Sequence, residues 1–181
     1  MTLSHCDNAG LGKRDRAIHS VLNKLFPRRD IAIDGDLYLR RWYVRGVGTD
    51  HQVFLHHIVR PDKGRELHDH PFDFKTRVLS GGYYEQALHG AAEDAVLTTD
   101  GQWCIAGYTF ERKAEHTHRI DKVLDGTYTL VSTGPARRVW GFVTSQRNSA
   151  WTCALAWLPW REYLGTPDAE DFPEDVITGA A

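Results

Sequence analysis

The segment that decides the fold runs from Gly64 to Glu85 and reads GRELHDHPFDFKTRVLSGGYYE. It opens with two histidines one residue apart, His68 and His70, and it turns at Gly81-Gly82. Side chains two positions apart on an extended strand project from the same face, so this pair can direct two imidazoles to one point. The segment therefore predicts a strand that carries two metal ligands.

On both sides of this segment the chain is predicted to form a succession of short strands. Runs rich in aromatic and β-branched residues alternate with turn residues such as glycine and proline. The predicted strands are 37–44, 52–60, 73–80, 83–88, 103–110, 115–120, 127–133 and 137–145, followed by a strand and a helical turn within 151–164. Short strands at this regular spacing are typical of a β-sandwich or barrel rather than of βαβ units.

A helix is predicted ahead of the strands, over residues 14–26. Its apolar residues recur at the spacing of one helical face, and Pro27 follows as a stop. These residues are Ile18, Val21, Leu22, Leu25 and Phe26. We expect the helix to lie with this apolar side on the body of the fold.

Composition and charge narrow the class of protein. The 181 residues suit one domain with a sizeable core, and a net charge of −2 gives no basic field for nucleic acid or a membrane surface. The three cysteines are widely separated, which argues against a disulfide framework or a thiolate zinc site and fits a reducing cytoplasm. No apolar run approaches the roughly 18 residues that span a bilayer, and the first residues do not resemble a secretory signal.

We therefore expect a soluble, cytoplasmic, all-β protein with one barrel domain. The expected division is an arm and helix at 1–36, the barrel at 37–165 and an acidic, flexible tail at 166–181.

A second close pair of histidines, His116 and His118, lies in the later segment AEHTHRI. Neutral imidazole binds iron, nickel, copper and zinc well, and three converging ligands leave positions open for water or substrate. Either residue of this pair can supply a third ligand, and their spacing does not choose between them. His56 and His57 are adjacent and face opposite ways on a strand, so they cannot form such a pair, although one of the two could line the interior. His5, His19 and His89 are predicted to be incidental.

The HDHP-to-GGYYE block and the later HRI segment resemble the two motifs of the cupin superfamily of small jelly-roll barrels. In that family the first motif supplies two histidines and a glutamate, and the second supplies a third histidine. The resemblance covers roughly residues 37–145 and implies a cupin-type double-stranded β-helix. It assigns His68 and His70 to the paired histidines and His118 to the third, with His116 as the fallback. It also implies a homodimer, which would hide exposed sheet edges.

The sequence departs from the cupin pattern at the glutamate, whose expected positions hold Phe74 and Lys75. Asp73 is the nearest acid. Cupins without that glutamate resemble the cysteine-dioxygenase type, which binds iron through three histidines alone. The resemblance thus implies a three-histidine site, with Asp73 as a possible fourth ligand or as a partner to an imidazole N–H. The alternation of the strand, however, favours Phe74, Thr76 and Val78 inward, which would turn Asp73 away.

Three further residues are predicted to act on a substrate. If Tyr83 faces inward then so does Glu85, which would give the interior a hydroxyl and a carboxylate. An inward Arg138, beside Trp140, would bind a carboxylate or phosphate through its planar fork. The alternatives, an interface tyrosine and an outward arginine in a salt bridge, carry equal weight.

The resulting hypothesis is a metal-dependent, dioxygenase-like oxidoreductase that acts on a small polar molecule. Its cofactor would be a divalent transition metal, iron first, with nickel, zinc or manganese as alternatives. A metal-free epimerase or isomerase with a histidine as general base is the second hypothesis. The third is a module that binds or senses a small ligand without turning it over. The sequence contains no Gly-rich phosphate loop, GxSxG elbow or HExxH motif.

Overall fold

The structure is a computed structural model that describes residues 11–33, 35–62, 64, 66–89, 98–147 and 153–163. The predicted arm and acidic tail lie outside these residues. In chain order the elements are α1 (Lys13–Leu25), β1 (Arg28–Ile33), β2 (Asp36–Arg45), β3 (Val53–Ile58), β4 (Leu67–His68), β5 (Phe74–Ser80), β6 (Gly82–His89), β7 (Thr98–Ile105), β8 (Thr109–Arg112), β9 (His118–Val123), β10 (Thr127–Thr133), β11 (Gly141–Arg147), β12 (Cys153–Pro159) and α2 (Trp160–Tyr163). Neither of these helices is long and apolar enough to cross a membrane.

The strands form two six-stranded sheets. The first sheet has the order β1-β2-β3-β10-β5-β8 and the second has the order β12-β11-β4-β9-β6-β7. From β3 to β10 the strands therefore interleave between the sheets as two Greek keys, which is the jelly-roll arrangement. β1 and β2 extend the first sheet, and β11 and β12 extend the second. The predicted all-β, cupin-type jelly roll with a short N-terminal helix is confirmed.

The predicted strands differ from the structure in several places, since β9 begins at His118 rather than at residue 115 and β11 begins at Gly141 rather than at residue 137. The run 103–110 is divided between β7 and β8, because Gly107 has a φ of 96° and reverses the chain toward the other sheet. β1 was not predicted, since residues 1–36 were expected to precede the barrel. It pairs with β2, with Ile31 opposite Leu39.

Gly81 lies between β5 and β6, where the chain passes from the first sheet to the second. Its φ of 63° lies in the left-handed region, and a Cβ at this position would stand 2.5 Å from Thr127 Oγ1. Both conditions require glycine. The predicted turn is therefore present, and it directs Tyr83 and Glu85 into the barrel.

One end of the barrel interior is apolar. Buried residues from both sheets meet there: Ile31, Leu39, Ile58, Val78, Tyr83, Cys104 and Ile120. Residues directly opposite each other on antiparallel strands share a face, so the pairing places Thr129 and His56 in the same inner layer as Val78. Away from the apolar cluster the inner faces carry threonine, histidine and glutamate side chains, and this polar half holds the candidate site.

α1 packs on the outer face of the first sheet, and the expected apolar side of the helix is only partly covered, with Ile18, Leu22 and Phe26 half-buried. Val21 and Leu25 are 57% and 64% exposed. The helix also presents Asp15, His19 and Asn23, one turn apart, to the sheet. Asn23 accepts a hydrogen bond from Trp42 Nε1 at 2.8 Å.

His19 is central to this contact, although it was predicted to be incidental. Arg40 donates to His19 Nδ1 at 2.8 Å, so the imidazole proton lies on Nε2, 3.0 Å from the Tyr128 hydroxyl. Tyr128 in turn donates to Asp15 at 3.0 Å. Burial, followed by the nearby His57 and Arg40, lowers the pKa of His19 to about 4, although Asp15 opposes the shift. A proton added to Nδ1 would face the Arg40 donor, so the packed helix requires the neutral form.

The free energy of unfolding is expected to fall as the pH drops from about 6.5 toward 4, because the unfolded chain then binds a proton that folded His19 rejects. The contribution is complete above about pH 6.5 and its slope is at most about 1.4 kcal/mol per pH unit. In urea unfolding between about pH 7 and pH 5, His19→Gln should show a flatter dependence than wild type. The exposed control His51→Gln should retain the wild-type slope. An unchanged slope in His19→Gln would contradict this assignment.

Candidate metal centre

Three histidines converge inside the polar half of the barrel. His68 on β4 stands directly opposite His118 on β9, and His70 follows β4. One ring nitrogen from each of the three lies within 4.8 Å of the others. The closest pair is His70 Nε2 and His118 Nε2, at 2.9 Å. The structure thus brings together the three histidines that the sequence selected.

The residue between the paired histidines, Asp69, projects to the other face of the sheet and is buried. Its carboxylate accepts hydrogen bonds from the Gly141 N–H and from Arg138, both at 2.6 Å, and from Trp157 Nε1 at 2.9 Å. Burial raises the pKa of Asp69, and these donors oppose that rise. Asp69 therefore fixes the histidine segment to β11 and β12. Sequence reasoning missed it, although an acid between two inward histidines must face outward.

Arg138 has a structural role here, which corrects its expected inward orientation. It is bound to Asp69, and its guanidinium lies 5.3 Å from the centroid of the Trp157 ring. Both partners project from the outer face of the second sheet. The charge of Arg138 is thus neutralised away from the histidine group.

Glu85 on β6 supports the histidine group from within the barrel. Its Oε1 accepts a hydrogen bond from His118 Nδ1 at 2.6 Å, and its Oε2 accepts one from Arg112 at 2.9 Å. Burial raises the pKa of Glu85, but its contacts with His116, His118 and Arg112 outweigh burial and the net shift is downward. The ionised carboxylate assigns the proton of His118 to Nδ1. The lone pair on Nε2 then faces His70.

His116 lies on the carboxylate side of His118. Its Nε2 is 3.6 Å from Glu85 Oε1, and within the described part of the chain this buried nitrogen has no hydrogen-bond partner. Burial lowers the pKa of His116. Together with Glu85 and His118 it forms a second group of possible ligand atoms within 4.8 Å. Of the two alternatives for the third ligand, only His118 also joins His68 and His70.

Burial holds the imidazoles of His68 and His70 in their neutral form. Burial lowers the pKa of His68 to about 4 and places that of His70 well below its ordinary value. Aromatic rings surround them, with Phe74 at 4.7 Å from His70 and Phe142 at 6.2 Å from His68 between ring centroids. A metal ion would not have to displace a proton from either histidine at neutral pH.

Asp73 is not brought together with the histidines. Its side chain is 39% exposed and accepts hydrogen bonds from Arg137, from Lys113 and from the Ala114 N–H. The strand places Phe74 toward the histidines, so the preceding Asp73 points away. We therefore leave Asp73 out of the ligand set.

Tyr83 faces the interior together with Glu85, but it lies in the apolar cluster beside Cys104. Burial raises the pKa of its hydroxyl, with the charges of Cys104 and Glu85 adding to the rise. The hydroxyl therefore stays protonated at neutral pH. This position suits core packing rather than the catalytic role that the sequence suggested.

The donor set fits a divalent transition metal. Two ligands bound about 2.1 Å from one ion at a right angle stand about 3 Å apart. His70 Nε2 and His118 Nε2 are 2.9 Å apart, and each of the three imidazoles can offer a lone pair. A carboxylate that accepts the other N–H of a ligating histidine is a regular feature of such sites.

Replacing Asp69 is expected to destabilise the fold. In Asp69→Asn the amide N–H₂ would face the Arg138 and Trp157 donors, so the free energy of unfolding should fall by about 2–4 kcal/mol. Urea unfolding followed by tryptophan fluorescence measures this loss. Asp73→Asn, a neighbouring acid in an exposed network, is the matched control and should lose less. Equal losses in the two variants would contradict the anchoring role of Asp69.

No family model and no curated protein matches the sequence. Solved structures of cupin fold do match it. An iron(II) form of HppE is 13% identical, with a TM-score of 0.47 over 61% of this chain and 57% of that one. KdgF from Halomonas sp. is 18% identical, with a TM-score of 0.45 over 64% of this chain and 93% of that one. A variant of oxalate decarboxylase from Bacillus subtilis is 16% identical, with a TM-score of 0.41 over 61% and 28%.

This chain thus spans little more than half the length of HppE. The fold assignment rests on the strand order, which is independent of these matches. By that order, and by the neighbouring strands β4 and β9 that carry its histidines, the chain is a cupin-type jelly roll.

Proposed function

We propose that this protein is a metal-dependent cupin oxidoreductase that holds one divalent transition metal through His68, His70 and His118. Iron(II) is the first candidate metal, and the substrate is a small polar molecule. The observation that carries the proposal is the convergence of three imidazoles, of which His68 and His70 are half-buried and His118 is buried and oriented by a buried carboxylate. Three protein ligands leave coordination positions free for a substrate.

The protein's own residues have definable roles in this proposal. Glu85 holds the Nδ1 proton of His118 and thereby keeps Nε2 available as a ligand. Arg112 balances the carboxylate charge, so the buried pair adds no net charge to the interior. The rings of Phe74 and Phe142 pack against His70 and His68 and add apolar surroundings to the histidines. A bound ion would supply Lewis-acid and redox chemistry.

A metal-free isomerase is the second candidate, and the same hydrogen bond favours it. A histidine whose Nδ1–H is held by a carboxylate is an oriented general base, with Nε2 free to accept a proton from a substrate. The two candidates differ in whether His70 and His68 are needed as ligands. Metal binding therefore separates them.

We expect the untagged protein to bind about one equivalent of iron(II) after anaerobic loading and desalting. His118→Ala should lose nearly all of it, because the remaining two imidazoles make an incomplete site. Glu85→Gln should weaken metal affinity by about 10–100-fold, since it disturbs the residue that orients His118. Elemental mass spectrometry measures the metal content of each variant.

The exposed histidine variant His51→Ala is the control and should bind metal as wild type does. Iron-loaded wild type is then screened for oxygen uptake with small polar molecules. Wild type that stays empty after loading with iron, nickel, zinc and manganese would overturn the metal proposal in favour of the isomerase. If the wild-type protein binds metal but shows no oxygen uptake, only the proposed oxygen-dependent chemistry would be overturned.

A further inference from the structure

A second feature of the interior is Arg41 on β2. Four directly paired residues cross the first sheet at this level. Arg41 pairs with His56 on β3, His56 pairs with Thr129 on β10, and Thr129 pairs with Val78 on β5. Val78 belongs to the cluster inside the barrel, and directly opposed residues share a face. Arg41 therefore projects from the inner face of the first sheet, while its neighbours in sequence turn outward toward α1.

The contacts of Arg41 contain no acid. Its Nε donates to His56 Nε2 at 3.2 Å, and its guanidinium lies 4.6 Å from the centroid of the Phe54 ring. The Phe54 ring also stacks on His56, with centroids 5.7 Å apart. Among the residues that the structure describes, no carboxylate is within ion-pair distance of Arg41.

The surroundings do not neutralise this charge. His56 is a hydrogen-bond acceptor here, and burial together with Arg41 holds its pKa well below the ordinary value, so it is neutral. Arg29 stands opposite Arg41 on β1 and adds a second positive charge on the same face. Burial lowers the pKa of Arg41, and the neighbouring hydroxyls of Tyr43, which is also a hydrogen-bond partner, and of Tyr38 oppose that fall without supplying a carboxylate. A partly buried charge with no counter-charge costs free energy.

Arg112, another interior arginine, has a different environment. Arg112 is paired with Glu85, the carboxylate that supports His118. Arg41 lies on the opposite sheet, and its charge is among those that act on His70. Phe74, from the same sheet as Arg41, packs against His70. Arg41 therefore faces the same barrel interior as the histidine group.

We propose that Arg41 binds the oxyanion group, a carboxylate or a phosphate, of a small anionic molecule inside the barrel. The planar guanidinium presents paired N–H donors that match either group, and His56 and Phe54 hold it in place. The bound anion supplies the missing counter-charge. The further claim that the rest of this molecule extends to the three histidines rests on the proposed function. The claim that the anion binds at Arg41 does not depend on it.

The test is an NMR titration of the full-length, metal-free protein with inorganic phosphate and, separately, with propionate. Wild type should bind at least one of them saturably, and the tighter one identifies the class of oxyanion. Arg41→Gln should weaken that dissociation constant by at least about tenfold. Arg77→Gln, an exposed arginine on β5, is the matched control and should bind as wild type does.

Arg41→Lys keeps the charge without the fork and should bind measurably more weakly than wild type. It decides the question if Arg41→Gln does not fold. Absence of saturable binding to wild type, or unchanged binding in a folded Arg41 variant, would overturn the inference. Iron content, measured in parallel, should be equal in wild type and Arg41→Lys. If the wild-type protein binds no iron but still binds the anion through Arg41, only the metal proposal would be overturned.

Discussion

The candidate site depends on one hydrogen bond, from His118 Nδ1 to Glu85 at 2.6 Å. This contact fixes the tautomer and the ring orientation of His118, and so leaves its Nε2 lone pair directed at His70. Arg112 keeps the carboxylate ionised in a buried position. Without Glu85, no hydrogen bond would hold the proton of His118 on Nδ1 and direct its Nε2 lone pair at the other two imidazoles. The carboxylate is therefore the element that turns neighbouring histidines into a possible ligand set.

The jelly roll supplies the setting for this contact. Its strand order makes β4 and β9 neighbours in the second sheet, so histidines far apart in sequence become directly opposed. Because side chains point alternately to the two faces of the sheet, the residues of the HDH segment have two different roles. His68 and His70 face the interior, and Asp69 binds β11 and β12 on the outside. One short segment thus forms part of the site and also attaches the added strands to the barrel.

Residue spacing predicted the features that depend on strand alternation: the barrel, the inward histidine pair, and the shared face of Tyr83 and Glu85. Spacing could not predict features that depend on contacts with residues on other strands. Asp69 and Arg138 face each other only after β11 has folded onto β4. His19 reads as incidental because its partners, Arg40 and Tyr128, come from two strands that the sequence does not place under the helix. Helical periodicity predicted only part of the contact of α1, since it could not show the hydrogen bonds that His19 and Asn23 make with the sheet.

X-ray absorption spectroscopy of the iron(II)-loaded protein tests the central claim most directly, because it counts the imidazoles around the ion. The account predicts about three histidine ligands at about 2.1 Å, with the remaining positions filled by light atoms from solvent. The number should fall to two or the signal should disappear in His118→Ala, the residue oriented by Glu85. A wild-type ion surrounded by carboxylate or water oxygens with no histidine signature would contradict it.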